Sequence, residues 1–412
     1  MHIAYLTSEF MTEKWHGGLA AYLDNITSIM SENGHDVTII TLSEKKDRIH
    51  YRDKVEVVRV QANTVRSVKD NVGHGIDLLR NSWKIYQTLL QENRRKQIDI
   101  VQAANFQAVG FFRNYHIPTV IRASSEASLW RNAAKFDFDY DNALKEWTLE
   151  DFLEIWCVKK ADACFAPSHF CASAIKVKSK REIDVIESPY LLRNNIEDES
   201  VYKNKLEHKK YLLFNSSLSC LKGTHVGIEA TEYIMEKYSD LYMVYAGYDY
   251  GLSQKDGSVQ KIVNILKRQN KKYEGRVIYL GHLTQDKLFP VIRNSLACVL
   301  PSRVDNLPNS CIEAMALGSI VIGTYGASFE QLIENKKNGL LIKRDSSTAF
   351  IKAVNYLVEM RDEERKDMGK KAMHTIERLQ PQKVYSEMIK FYEKIIAKHR
   401  KKISSFYHKP LM

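Results

Sequence analysis

The chain has 412 residues, 44% hydrophobic and 27% charged, which excludes a disordered or collagen-like chain and leaves material for two or three globular domains. No apolar run approaches the ~18 residues of a membrane-spanning helix, and the start, MHIAYLTSEF, has neither the basic region nor the long apolar stretch of a signal peptide. A net charge of +11 calls for an anionic partner, whether nucleic acid, lipid surface or phosphorylated substrate.

Short β-branched runs alternate with helical stretches along the whole chain. In the first half the expected strands are His2–Thr7, Asp36–Leu42, Val55–Val60, Asp99–Ala104, Pro118–Ala123, Ala163–Ser168 and Asp184–Pro189. Between the first two, Leu19, Leu23, Ile26, Ile29 and Met30 form one apolar stripe, and Gly34 ends that helix. Gly17-Gly18 lies just before it, where glycine admits a close ligand and a helix start offers free N–H groups to phosphate or hydroxyl oxygens. His16 stands beside the pair as a lone histidine, and the string is not the G-x-G-x-x-G of a dinucleotide site.

Cys157, Cys164, Cys171, Cys220, Cys298 and Cys311 form no C-x2-C pair, so buried thiols in a reducing cytoplasm are expected and a metal site is not. From Leu192 to Lys210 the apolar pattern lapses into RNNIEDESVYKNKLEHKK, read as a linker. The pattern resumes with expected strands at Tyr211–Ser217, Leu241–Gly247, Val277–Leu283, Leu296–Ser302, Ile320–Gly326 and Gly339–Arg344. The fold class is therefore α/β, with two Rossmann-like domains built on parallel sheets. The expected divisions are 1–193, a linker 194–210, 211–383, and a C-terminal helix and basic tail 384–412.

Ligands of open parallel sheets bind beyond the carboxyl ends of the strands, so the loops there carry the candidates. Lys222-Gly223 follows the first strand of the second half; a lysine there suits a diphosphate. More specific is the stretch PSRVDNLPNSCIEAMALG. A strand runs into a polar loop holding Asp305, and Asn306, Leu307, Pro308, Asn309 and Ser310 enter a helix that carries Glu313. Two carboxylates and an amide-rich helix start suit the hydroxyls and phosphates of a sugar nucleotide. At the end of the chain, no acidic residue follows Glu393, while Lys394, Lys398, Arg400, Lys401, Lys402 and Lys409 do. Near an anionic membrane each such residue contributes roughly 1 kcal/mol. Nothing resembles a helix-turn-helix, zinc finger or RNA-recognition motif, so no nucleic-acid partner is expected.

At this motif the chain resembles the retaining glycosyltransferases of the GT-B fold, family four, also called glycosyl transferases group one. Members carry an acidic residue, seven others, then Glu in an EAMA-x-G context; here these are Asp305, NLPNSCI and Glu313 to Gly318. Gly17-Gly18, Lys222-Gly223, Ala246-Gly247, Leu280-Gly281 and Pro301-Ser302 fall in the family's order. The resemblance implies two sheets facing each other across a cleft, with the last helix crossing back to the first domain. It implies a metal-independent hexosyl transfer from a UDP- or GDP-sugar to a saccharide or lipid-linked acceptor in bacterial surface polysaccharide assembly, on the cytoplasmic face of the membrane.

By the same resemblance Lys222 stabilises the leaving diphosphate, Asp305 sits near the transferred sugar and Glu313 holds the ribose. Residues 306–310 meet sugar and diphosphate, Gly281, His282 and Leu283 meet the nucleobase, and Gly17 and Gly18 shape the acceptor side. Two positions depart from the pattern. Relatives carry Arg where this chain has Ser217 on the donor side, and many carry His where Ser124 stands, which with Arg122 is expected on the acceptor side of the cleft, with Glu126 nearby. The first departure leaves a rival reading as a degenerate, non-catalytic partner subunit; a nucleotide-sugar epimerase on the same fold is the other rival.

Overall fold

The structure is a computed structural model that describes residues 1–14, 17–191 and 197–407. His16, residues 194–196 of the expected linker and Lys409 lie outside the described residues. The chain divides into two compact units, each with its own sheet and core. The first comprises Met1–Ser128, Leu144–Leu191 and Leu379–Met412; the second comprises Leu129–Ala143 and Leu192–Arg378.

In the first unit eight strands form one sheet: β1 (His2–Thr7), β2 (Asp36–Ser43), β3 (Arg48–Arg52), β4 (Val55–Gln61), β5 (Ile100–Ala104), β6 (Thr119–Arg122), β7 (Ala163–Ala166) and β8 (Asp184–Val185). Their order is β3-β4-β2-β1-β5-β6-β7-β8. All neighbours are parallel except the pair β3 and β4. Successive side chains of a strand point to opposite faces. Ala4 and Leu6 therefore pack with Leu78, Ile85 and Leu89 of the helix Asn71–Arg95. Ile3 and Tyr5 pack instead with Leu23 and Ile26 of the helix Gly18–Glu32, and with Met388, Tyr392 and Ile395 of the final helix Pro381–Tyr407.

The second unit is built from β9 (Lys210–Asn215), β10 (Leu218–Ser219), β11 (Leu241–Ala246), β12 (Asp249–Ser253), β13 (Val259–Gln260), β14 (Val277–Gly281), β15 (Ala297–Leu300), β16 (Val321–Thr324) and β17 (Leu340–Ile342). Its main sheet runs β14-β11-β9-β15-β16-β17, wholly parallel, beside a small sheet of β10, β12 and β13. Chain order reverses between β9 and β15. Such a switch point is where an open α/β sheet leaves a crevice at its carboxyl edge.

Two segments sit differently from the sequence expectation. Residues 129–143, expected within the first domain, belong to the second unit. The reason is a clamp: the buried Arg303 guanidinium donates to the carbonyls of Ala133 at 3.2 Å, Lys135 at 2.5 Å and Phe136 at 3.3 Å. Arg344 lies over the rings of Phe138 and Tyr140, and Ser253 Oγ donates to the Ala134 carbonyl at 2.9 Å. The described part of the expected linker is also structured. Ser200–Lys205 is a short helix, and Glu197 pairs with Arg293 through two bonds of 2.6 and 2.8 Å.

All six cysteines are free and buried. Burial pushes the Cys164 and Cys171 thiols up to about 12, so they pack as small apolar groups. Among the described residues no helix is long and apolar enough to cross a membrane.

Candidate functional site

The loops after β9 and β15 meet at the switch point of the second unit. After β9 the chain turns twice, with Lys222 N–H donating to Ser219 Oγ at 3.2 Å and Gly223 N–H to the Cys220 carbonyl at 2.9 Å. Gly223 has φ +67°, and a Cβ there would fall 1.8 Å from the Pro301 carbonyl oxygen. Only glycine lets the two loops touch in this way. The Arg303 N–H then donates to the Leu221 carbonyl at 2.9 Å, stitching the loops together.

This contact sets Lys222 against the second loop. Its Nζ lies 2.6 Å from Asp305 Oδ2, with the two side chains 21% and 12% exposed. The ammonium also sits 5.8 Å from the centre of the Trp130 ring, contributed by the clamped segment 129–143. Asp305 Oδ1 accepts the Asn306 N–H at 3.1 Å. Leu307 and Pro308 are buried, anchoring the loop, whereas Asn309 is exposed and Ser310 half-buried at the start of the helix Asn309–Ala316. No side chain caps that start, so its first amides point outward as donors.

Glu313, on the same helix, is half-buried. Burial raises its carboxyl above the ordinary range, opposed by a 2.8 Å hydrogen bond that the Gln285 amide donates to Oε1. Lys222, Asp305, the uncapped helix start and Glu313 thus share one stretch of the carboxyl edge.

At the neighbouring edge strands, Gly281 ends β14 with φ +79° and its carbonyl accepts the Gly247 N–H at 2.9 Å. A Cβ on Gly247 would fall 2.0 Å from the Ser216 carbonyl, which sets Ser217 beside the end of β11. His282 is exposed and stacks on Tyr248, with centroids 4.1 Å apart and planes 15° apart; Leu283 is half-buried beside it. Tyr248 escaped the sequence reading, although a tyrosine following Ala246-Gly247 at a strand end was the available signal. Arg303 does not take the place of the arginine absent at Ser217, because its donors are spent on Asp345 and the clamped segment.

In the first unit the expected acceptor-side residues have other partners. The start of the helix Gly18–Glu32 is not vacant: Glu9 Oε1 accepts the N–H groups of Gly17 at 3.2 Å and Ala20 at 3.1 Å. Arg122 and Ser124 are buried. The guanidinium lies 3.8 Å over the Tyr22 ring and donates to Ser124 Oγ and Ser188 Oγ, while Ser124 N–H donates to Asn105 Oδ1. Burial pushes the Arg122 guanidinium below its ordinary range.

A cavity of about 470 Å³ opens instead beyond the carboxyl ends of β1, β2 and β4, lined among others by Ser8, Glu13, Ser43, Arg59, Asn63 and Asn81. Glu13 Oε1 accepts from Arg59 Nε at 2.7 Å and Oε2 from Ser43 Oγ at 2.6 Å, giving a polar wall of fixed geometry. Among the described residues no three His, Cys, Asp or Glu side chains gather to hold a metal ion.

Known proteins share sequence and fold with the chain. Residues 195–375 match the family model described as glycosyl transferases group 1, and residues 17–185 match the glycosyl transferase 4-like domain. An uncharacterised glycosyltransferase of Haemophilus influenzae is 21% identical over 343 residues, covering 83% of this chain and 87% of the relative. Among solved structures, sucrose-phosphate synthase from Thermosynechococcus elongatus superposes with TM-score 0.74 at 16% identity, covering 96% of this chain and 99% of that one. Anabaena HepE in complex with UDP gives TM-score 0.65 at 14% identity, covering 96% and 100%.

Proposed function

The chain belongs to the glycosyl transferases of group 1, of the GT-B fold, and from that premise we propose that it transfers a hexosyl group from a nucleoside diphosphate sugar to a saccharide or lipid-linked acceptor. The observation that carries this reading is the gathering of Lys222, Asp305 and an uncapped helix start at the switch point of the second unit.

The difficult step is departure of the diphosphate from the anomeric carbon, which builds negative charge on phosphate and positive charge on the sugar. Fixed positive charge and oriented N–H dipoles stabilise that leaving group. Lys222 and the amides of Asn309 and Ser310 supply both, so this reading requires no metal. An arriving diphosphate takes over the Lys222 ammonium and leaves Asp305 facing the cation-like sugar. Glu313 accepts the ribose hydroxyls, and the stacked Tyr248 and His282 present a platform for the nucleobase beside Gly281 and Leu283. The UDP complex of HepE, a fold relative, supports a UDP-sugar over a GDP-sugar.

Retention follows if the acceptor attacks from the face the diphosphate leaves, with the phosphate accepting the proton; no side-chain base is assigned. The polar cavity of the first unit suits the hydroxyls of a saccharide acceptor. The lysine-rich final helix supports a cytoplasmic enzyme held peripherally at an anionic membrane, in surface polysaccharide assembly.

Ser217 in place of arginine favours one second reading, a degenerate partner subunit without turnover. A nucleoside diphosphate release assay across UDP- and GDP-sugars with saccharide acceptors separates the two. The transferase reading expects acceptor-dependent release, and a loss in kcat of about a hundredfold or more in Lys222→Ala, the worth of one charge-stabilising donor. Absence of release with every donor leaves the partner reading standing. Unchanged turnover in Lys222→Ala removes the role given to the ammonium.

A further inference from the structure

A second cavity, with Ile403 in its wall, lies toward the opposite edge of the first unit's sheet. Its volume is about 350 Å³, and Arg113, Tyr115, His116, Asp162, His399 and Lys402 line it. Asp162 immediately precedes β7 and His116 shortly precedes β6, so the cavity opens at the amino ends of the strands, away from the loops that follow β1 and β5.

The chemistry of this cavity is one-sided. Four basic side chains surround a single carboxylate, and that carboxylate is already engaged. Asp162 Oδ2 accepts the Thr119 N–H at 2.9 Å and lies 3.6 Å from Arg113, while Oδ1 lies 3.4 Å from His399 Nδ1. His399 is only 6% exposed, yet neither ring nitrogen has a hydrogen-bond partner among the described residues. The buried Nε of Arg113 has none either, although its guanidinium lies 4.7 Å over the Tyr115 ring. Buried donors left without acceptors cost stability and are rare in native proteins.

We propose that this cavity binds a phosphate group, through Arg113, His116, His399 and Lys402. A tetrahedral phosphate anion offers at least two strong acceptor oxygens at once and would engage the donors of Arg113 and His399. Its source is either a soluble phosphate or the headgroup of an anionic lipid, because Lys398, Arg400 and Lys401 lie exposed on the same helix beside it. The site goes beyond the transferase reading and does not depend on it.

The test is calorimetric titration of the full chain with inorganic phosphate, beside co-sedimentation with phosphatidylcholine vesicles containing phosphatidylglycerol. Arg113→Gln and His399→Gln are compared with Lys401→Gln, which removes an exposed charge of the same helix outside the cavity. The expected result is a loss of about tenfold or more in affinity for the two cavity variants, as for one charge-assisted hydrogen bond, and little change for Lys401→Gln. Phosphate bound elsewhere cancels in this comparison.

Loss confined to the phosphate titration assigns a soluble ligand; loss of vesicle binding, reversed by added phosphate, assigns a lipid headgroup. If the cavity variants match Lys401→Gln in both arms, the site does not exist. His116→Gln, on an exposed loop, keeps the comparison available should Arg113→Gln fail to fold.

Discussion

Glu313 shows at the scale of one side chain how a site works against the fold that holds it. Its carboxyl is pushed up because burial disfavours the charge, and the single bond from Gln285 only partly offsets that. A group whose folded pKa is raised favours folding fully below its unfolded pKa of about 4.3, and loses that contribution as pH rises through the folded value. Glu313→Gln should therefore raise the thermal midpoint at neutral pH, with the difference from wild type vanishing below about pH 4. The same substitution should weaken binding of the nucleoside diphosphate, because a neutral amide is a poorer acceptor for ribose hydroxyls than a carboxylate. Differential scanning fluorimetry at both pH values, paired with nucleotide titration, checks the trade. A variant that loses midpoint at neutral pH while binding nucleotide as before would contradict it.

Among the elements, the decisive contact is between two loops, at Gly223. A methyl group there collides with the Pro301 carbonyl, and the left-handed backbone resists any side chain. Gly223→Ala should cost roughly 1–3 kcal/mol of stability, move Lys222 away from Asp305, and weaken diphosphate binding together with turnover. Wild-type turnover in a folded Gly223→Ala protein would show that the spacing of the loops is immaterial. The glycine and lysine were legible in the sequence, as was the run from Asp305 to Glu313, because strand, turn and helix signals there agree. Other features were not legible. Arg48–Arg52 is a short antiparallel edge strand in which only Ile49 and Tyr51, both partly buried, alternate with polar residues, too short an alternation to stand out in the sequence. Arg303 grips backbone carbonyls of Ala133, Lys135 and Phe136; carbonyls are common to every residue and leave no mark on composition. Arg122 looked like a charged residue at a strand end, and its burial depends on Tyr22 and Ser188, far away in the chain.

For the whole molecule, periodicity reveals a stripe on a helix but not the sheet that the stripe meets. The C-terminal helix is expected from residue 384 onward; its place in the first unit follows from tertiary partners. Met388, Tyr392 and Ile395 pack on the face of that sheet formed by Ile3, Tyr5 and Val120. The Tyr392 hydroxyl donates to Gln102 Oε1 at 2.6 Å, an oxygen that also accepts from Tyr22 at 3.3 Å. Met388, Tyr392 and Ile395 thus complete the core of the first unit, whereas the second unit has a separate core around Leu212, Phe214 and Val299. Tyr392→Ala removes a fully buried ring and should cost about 3–5 kcal/mol, as large-to-small core changes do. Because the ring touches one core only, the damage should stay local. Hydrogen exchange read by mass spectrometry should show faster exchange in β1 and β5, with β9 and β15 unchanged. Equal acceleration in both sheets would mean that the two cores unfold as one cooperative body, with the final helix stabilising both.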